Sequence, residues 1–144
     1  LELKPEQESP YQDRGSIIIV VATDAPLLPH QLKRVARRAS LGVARTGGTA
    51  SNGSGDIFIA FSTSNPNTAG KRPSSSLLML NNSNLSTIFQ ATVEATEEAI
   101  INAMIAAETM EGRDGNRSEA IPHEELLKIL DSYGRLKQTT KDRK

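Results

Sequence analysis

Residues 15–26 read GSIIIVVATDAP, and this stretch decides the fold. Ile17 to Ala22 is apolar without a break, and all but the last are β-branched. A half-covered strand alternates apolar and polar residues, so an unbroken run predicts a strand covered on both faces. Thr23-Asp24-Ala25-Pro26 stops it with turn chemistry. Upstream, residues 1–15 (LELKPEQESPYQDRG) carry charges and prolines but no apolar period, and read as a linker.

A helix is expected downstream from Pro29, a residue suited to a first helical turn. Leu32, Val35, Ala36 and Ala39 share one stripe, and Gly42 is expected to end the helix. Lys33, Arg34, Arg37 and Arg38 fall on the other side. With Arg45 they make either a basic binding face or, more commonly, a solvated one. Residues 46–56 (TGGTASNGSGD) are a Gly-rich loop, and Ile57 to Phe61 is a second buried strand. Leu77 to Leu80 is a candidate third. A helix apolar almost all round, hence largely buried, is expected from about Ser86 to Met110. Gly112 to Asn116 is a loop. A last helix runs from Ile121 through about Tyr133 and ends at Gly134, ahead of a polar tail. This order gives an α/β (α+β) class whose two or three strands are too few to cover themselves.

Composition narrows the function. The 144 residues hold seventeen basic and seventeen acidic side chains, for a net charge of +0. A nucleic-acid-binding domain is normally basic, so none is expected as partner. No Cys excludes thiolate chemistry, and two His leave no zinc site, so no metal or cofactor is expected. No apolar stretch approaches the ~18 residues of a membrane span. The N-terminus does not read as a signal peptide, and the expected location is cytoplasmic. The chain starts at Leu1 rather than Met, which suggests processing or a piece of something longer. His30 and His123 each adjoin a Pro at a helix start and read as surface residues; Asp24 reads as a turn former.

Two motifs carry chemistry. Were the Gly15–Ser16 bond cut, Ser16 would stand at the head of a rigid strand with its own α-amine, of ordinary pKa ~7.7–8.0, as a base for its hydroxyl. Alone, Gly-Ser is a weak signal and more commonly a plain turn into a strand. The second motif is Asn52-Gly53-Ser54-Gly55-Asp56, just before the second strand. Ser54 and Asp56 are two apart and point the same way in extended backbone, so they can relay a proton or hold an amine. On this motif alone a plain Gly-rich turn is the commoner reading; a phosphate cradle is a further rival, but no Gly-Lys-Ser/Thr follows and a strand comes next.

Together, SIIIVVATDAPLLPHQLKRVARRASLGVARTGG and NGSGDIFIAFST closely resemble the self-processing aminopeptidases of the DmpA type, the L-aminopeptidase/D-esterase and β-aminopeptidase group. The resemblance covers about Gly15 to about Ile129. It implies a four-layer αββα sandwich, akin to the ornithine acetyltransferases, and a precursor that cleaves itself into α and β chains. Residues 1–15 would then end the α chain, and 16–144 would be the β-chain catalytic region.

The resemblance matches Ser16 to the nucleophile, Gly15-Ser16 to the cleavage site and Ser54 with Asp56 to a Ser-x-acidic pair. Asn52, Gly53 and Gly55 are expected to bind substrate. The implied partners are a peptide, amide or ester substrate, the α chain, and further αβ heterodimers in a homo-oligomer. The family's oxyanion Asn and nearby Tyr belong to the α chain, and Tyr11 lies too close to the cleavage point for that role. An acyltransferase, or a non-catalytic assembly subunit, is the alternative.

Overall fold

A computed structural model of the chain describes residues 15–66, 68, 70 and 73–136. The expected linker, apart from Gly15, and the end of the tail lie outside them, as does Tyr11. The chain divides into two compact units, Leu1–Glu98 and Ala99–Lys144.

In the first unit, β1 (Ile18–Thr23), α1 (Pro29–Arg45) and β2 (Ile57–Ser62) follow one another. The two strands are parallel neighbours, with Ile18 opposite Ile57 and Thr23 opposite Ser62. A 3-10 turn at Asn82–Asn84 leads into α2 (Leu85–Ala106). The mixed α/β class follows directly from this order.

Each strand has one face covered and one bare. Val21 and Ala60 pack on a core of Leu27, Val35 and Leu85, joined by Leu32, Ile88 and Phe89 from the helices. On the other face Ile18, Val20, Ile57, Ile59 and Phe61 are 45–67% exposed. The expectation of strands buried on both sides is therefore met on one. The unbroken apolar run encodes two covers, and the described residues supply only one.

Three features of the first unit correct the sequence reading. Gly42 does not end α1; it is buried three residues before the helix stops. A Cβ there would lie 2.6 Å from Thr96 Cβ and 2.8 Å from the Val93 carbonyl oxygen, so glycine allows α1 and α2 to touch. The helix ends instead at Gly47, whose φ of +98° is left-handed. Gly47 N–H donates to Ala44 O at 3.1 Å and Gly48 N–H to Val43 O at 3.0 Å, a Schellman closure.

The second correction concerns the basic face. Arg34 and Arg38 both stack on Phe89, with guanidinium carbons 5.1 and 4.1 Å from the ring centroid. They help seal α1 to α2, while Lys33 and Arg37 are exposed.

The third is that Leu77 to Leu80 forms no strand. The Asn65 side chain donates to Leu78 O at 3.1 Å and accepts from Leu78 N–H at 2.9 Å, occupying the groups a neighbouring strand would use. Leu80 N–H donates to Pro26 O at 2.7 Å. Gln31, wholly buried, ties the helix start to this segment. Its amide nitrogen donates to Leu80 O at 2.7 Å and Asn82 Oδ1 at 3.0 Å, and its oxygen accepts from Leu28 N–H at 3.1 Å. A buried amide persists only when paired in this way.

α2 starts one residue before Ser86 and ends four short of Met110. Its buried residues are Leu85, Thr92, Val93 and Thr96, while Met104 and Ile105 are 47% and 44% exposed. The all-round apolar pattern again exceeds the cover provided. Thr92 and Thr96 satisfy their hydroxyls on carbonyls one turn back, at 2.7 and 2.8 Å.

In the second unit a hairpin pairs β3 (Met110–Glu111) with β4 (Arg117–Ser118) around the expected loop. α3 (His123–Ser132) closes with Gly134 at φ +62°, as its position predicts. His123 Nε2 lies 2.9 Å from the Ile105 carbonyl oxygen. Among the described residues no helix is long and apolar enough to cross a membrane.

Candidate active site

The heads of β1 and β2 lie side by side, and there the two sequence motifs meet. Ile57 N–H donates to Ile17 O at 3.0 Å, the first rung of the parallel ladder. One step further out, Ile17 N–H meets no backbone carbonyl among the described residues. It donates to Asp56 Oδ1 at 3.0 Å. The carboxylate thus extends the ladder by one rung as the chain turns into β2.

On the same rung Gly55 N–H donates to Ser16 Oγ at 3.0 Å. Residues separated by 39 positions are held together by two hydrogen bonds. The neighbouring Ser54 side chain first, and the Ile17 N–H second, hold the Asp56 carboxyl below its ordinary range, so it is ionised near neutral pH.

Ser54 N–H donates to Ser51 O at 2.9 Å, folding the entry loop back on itself. Ser51 Oγ is buried and finds no partner among the described residues. Behind the carboxylate is a cavity of about 250 Å³. Ser40 and Val43 of α1, Gly48 and Ala50 of the loop, and Ser54, Asp56 and Phe58 on the β2 side form its walls. Ala50 adopts φ +49°, an unusual conformation for a residue with a side chain.

Ser16, Ser54, Gly55 and Asp56 are therefore brought together. Gly15 is exposed beside Ser16. Asn52 and Gly53 are exposed in the loop, with no side-chain bond tying Asn52 to Ser16 or Asp56 among the described residues. Asp24 follows the opposite end of β1, about 25 Å from Ser16 at ~3.3 Å per residue. His30 opens α1 at that same far end, and His123 belongs to the second unit. Sequence reasoning missed the backbone donors, Ile17 N–H and Gly55 N–H. Backbone groups leave no letter in a sequence; the only signal was the glycine beside Ser54. Among the described residues no cluster of three or more His, Asp or Glu could hold a metal ion.

Solved structures place this fold. The L-aminopeptidase D-Ala-esterase/amidase of Ochrobactrum anthropi, described as a new variant among the Ntn hydrolase fold, superposes with a TM-score of 0.78 at 48% identity. The match covers 92% of this chain and 38% of that one. The PH0078 protein of Pyrococcus horikoshii OT3 gives a TM-score of 0.80 at 54% identity, over 84% of this chain and 34% of that one. The chain thus has a mixed α/β fold of the Ntn hydrolase type.

Residues 2–118 match the model of peptidase family S58, and the chain belongs to that family. It is 52% identical over 123 residues to the β-peptidyl aminopeptidase BapA of Sphingosinicella microcystinivorans, covering 85% of this chain and 31% of that protein. The chain spans about a third of the length of the curated relatives it matches.

Proposed function

We propose that residues 16–144 are the β-chain region of a self-activating serine aminopeptidase, with residues 1–15 the end of the preceding α chain. The observation that carries this is the meeting of Ser16 Oγ, Gly55 N–H and the Asp56 carboxylate at the heads of two paired strands. Family membership and the aminopeptidase names of the relatives support the reading.

The precursor cuts itself between Gly15 and Ser16. The freed α-amine of Ser16 takes the hydroxyl proton as Oγ attacks the carbonyl of a substrate's first residue. The tetrahedral intermediate collapses, the leaving amine or alcohol takes that proton, and an acyl-enzyme remains. Water, deprotonated by the same amine, releases the amino acid and restores the hydroxyl. Ser54 and Asp56 orient the amine or shuttle its proton, and Asn52 and Gly53 border the substrate. The substrate class is the N-terminal residue of a peptide, amide or ester.

The bare face of Ile18, Val20, Ile57, Ile59 and Phe61 supports a second layer donated by the α chain. The working unit is then an αβ heterodimer within a cytoplasmic homo-oligomer, the α chain supplying the oxyanion donors. The test is expression of the full-length precursor with and without Ser16→Ala. Wild type yields two chains, the smaller starting at Ser16 by intact mass; the variant yields one uncut, inactive chain. Normal processing of the variant overturns the assignment.

A further inference from the structure

We infer that the backbone N–H of Gly55 is a catalytic donor to the nucleophile oxygen itself, and that residue 55 lacks a side chain to keep the approach to that oxygen open. The inference rests on Ser16 being the nucleophile. Three observations carry it. Gly55 N–H donates to Ser16 Oγ at 3.0 Å, a good geometry for an N–H···O bond. A Cβ at residue 55 would sit 3.4 Å from that Oγ, and among the described residues, its two chain neighbours apart, no other atom lies within 4 Å of it. Gly55 is also absent from the glycines with positive φ, so its backbone does not require glycine. The space it leaves free borders the nucleophile oxygen.

The donor acts on both halves of the reaction. As the hydroxyl loses its proton, charge grows on Oγ, and a fixed N–H opposite that charge stabilises it. The N–H also occupies one lone pair and leaves the other for the carbonyl carbon. In deacylation the Oγ–carbonyl bond breaks, the electron pair returns to Oγ, and the N–H again faces the developing charge while the water-derived proton reaches Oγ. Deacylation should therefore depend on this N–H whatever the substrate's leaving group.

The experiment uses the full-length, self-processed protein and a p-nitrophenyl ester of an amino acid, with which acylation is fast and the first turnover appears as a burst. Replacing the Ser54–Gly55 amide by an ester, with glycolic acid at position 55, deletes the N–H and adds no side chain. Gly55→Pro also deletes the N–H but adds a ring, and Gly55→Ala keeps the N–H and adds a methyl group. For the ester form the expected result is a full burst followed by steady-state turnover slowed by ~10²-fold, the scale of a lost oxyanion donor. Gly55→Ala should lose at least about tenfold less than Gly55→Pro. A full burst with turnover within about twofold of wild type overturns the inference. So does a diminished burst with unchanged turnover per active site, the mark of a purely structural role. Where Gly55→Pro fails to fold, the ester form decides. Ser16→Ala in parallel separates the premise: a burst in that variant means the nucleophile reading has failed, not the role of Gly55.

Discussion

Gly42→Ala in α1 is expected to destabilise the protein, although alanine is the better helix former by about 1 kcal/mol. The added methyl would lie 2.6 Å from Thr96 Cβ, 2.7 Å from its Cγ2 and 2.8 Å from the Val93 carbonyl oxygen. Ordinary carbon contacts are ~3.5–4.0 Å, so the helices must part by about 1 Å at this point. Two of the three clashes cannot be relieved by a side-chain rotation, because one atom is backbone and one is a Cβ. Overpacking of this kind costs about 1–3 kcal/mol; two rigid clashes place the cost in the upper part of that range, about 2–3 kcal/mol, so against the propensity gain a net loss of about 1–2 kcal/mol remains.

The displacement reaches the site as well. Ser40 and Val43 flank Gly42 in sequence and form the wall of the cavity facing Asp56. Thermal unfolding of the full-length protein should show a lower midpoint, by ~2–4 °C per kcal/mol for a domain of this size. Hydrolysis by the same sample should slow several-fold. A variant as stable as wild type, or more so, refutes the close-contact account and returns Gly42 to the role of an ordinary helix glycine.

Asp56→Asn keeps an oxygen for Ile17 N–H but loses the charge, so kcat is expected to fall on the order of 10²-fold with a small change in melting; unchanged kcat would leave Asp56 a loop residue. Because the Asp56 pKa is lowered on folding, its contribution to stability is complete above the ordinary carboxylate value of ~3.9 and disappears as pH falls through the folded value. Wild type should therefore lose its stability advantage over Asp56→Asn on acidification, as melts at neutral and at acid pH can check. Gln31→Leu fills the same buried site but orphans Leu28 N–H and Leu80 O, and is expected to cost about 2–4 kcal/mol in denaturant unfolding, with a loss under ~1 kcal/mol counting against the buried knot.

β1, β2, α1 and α3 were legible because local chemistry marks them: β-branched runs, Pro29 at a helix start, Gly134 past a helix end. Gly42 misled because a glycine in a helical pattern signals either an end or a close crossing, and sequence alone does not name the residue across the gap. Leu77 to Leu80 misled because its apolar letters fit a strand, whereas one side chain 13 residues away, Asn65, takes up the backbone groups of Leu78. Apolar letters report that cover is needed, not where it comes from; this is why β1, β2 and the second half of α2 read as more buried than they are. The candidate site residues Ser16, Ser54 and Asp56 were visible as motifs. That Asp56 completes a strand ladder and Gly55 touches Ser16 required the register, which pairs Ile18 with Ile57.

That register also explains why the proposed site lies where it does. Parallel α/β sheets usually bind ligands at the carboxyl ends of their strands. Here the proposed base is an α-amine, which exists only at a chain start, so the chemistry must sit at the amino end of β1. A parallel neighbour brings its own amino end to the same edge. The residues before β2, rather than those after it, therefore face Ser16, and the Ser-x-Asp pair must precede Ile57 in sequence. The connecting helix has to return to that edge as well, so α1 arrives with its last turns, and the Gly47 closure and the cavity wall of Ser40 and Val43 lie behind Asp56. An antiparallel partner would present its carboxyl end and leave the Gly-rich loop at the far side of the sheet. The order of the two motifs along the chain, proposed nucleophile at the head of one strand and carboxylate at the head of the next, is the order a β-α-β unit imposes on N-terminal-amine chemistry.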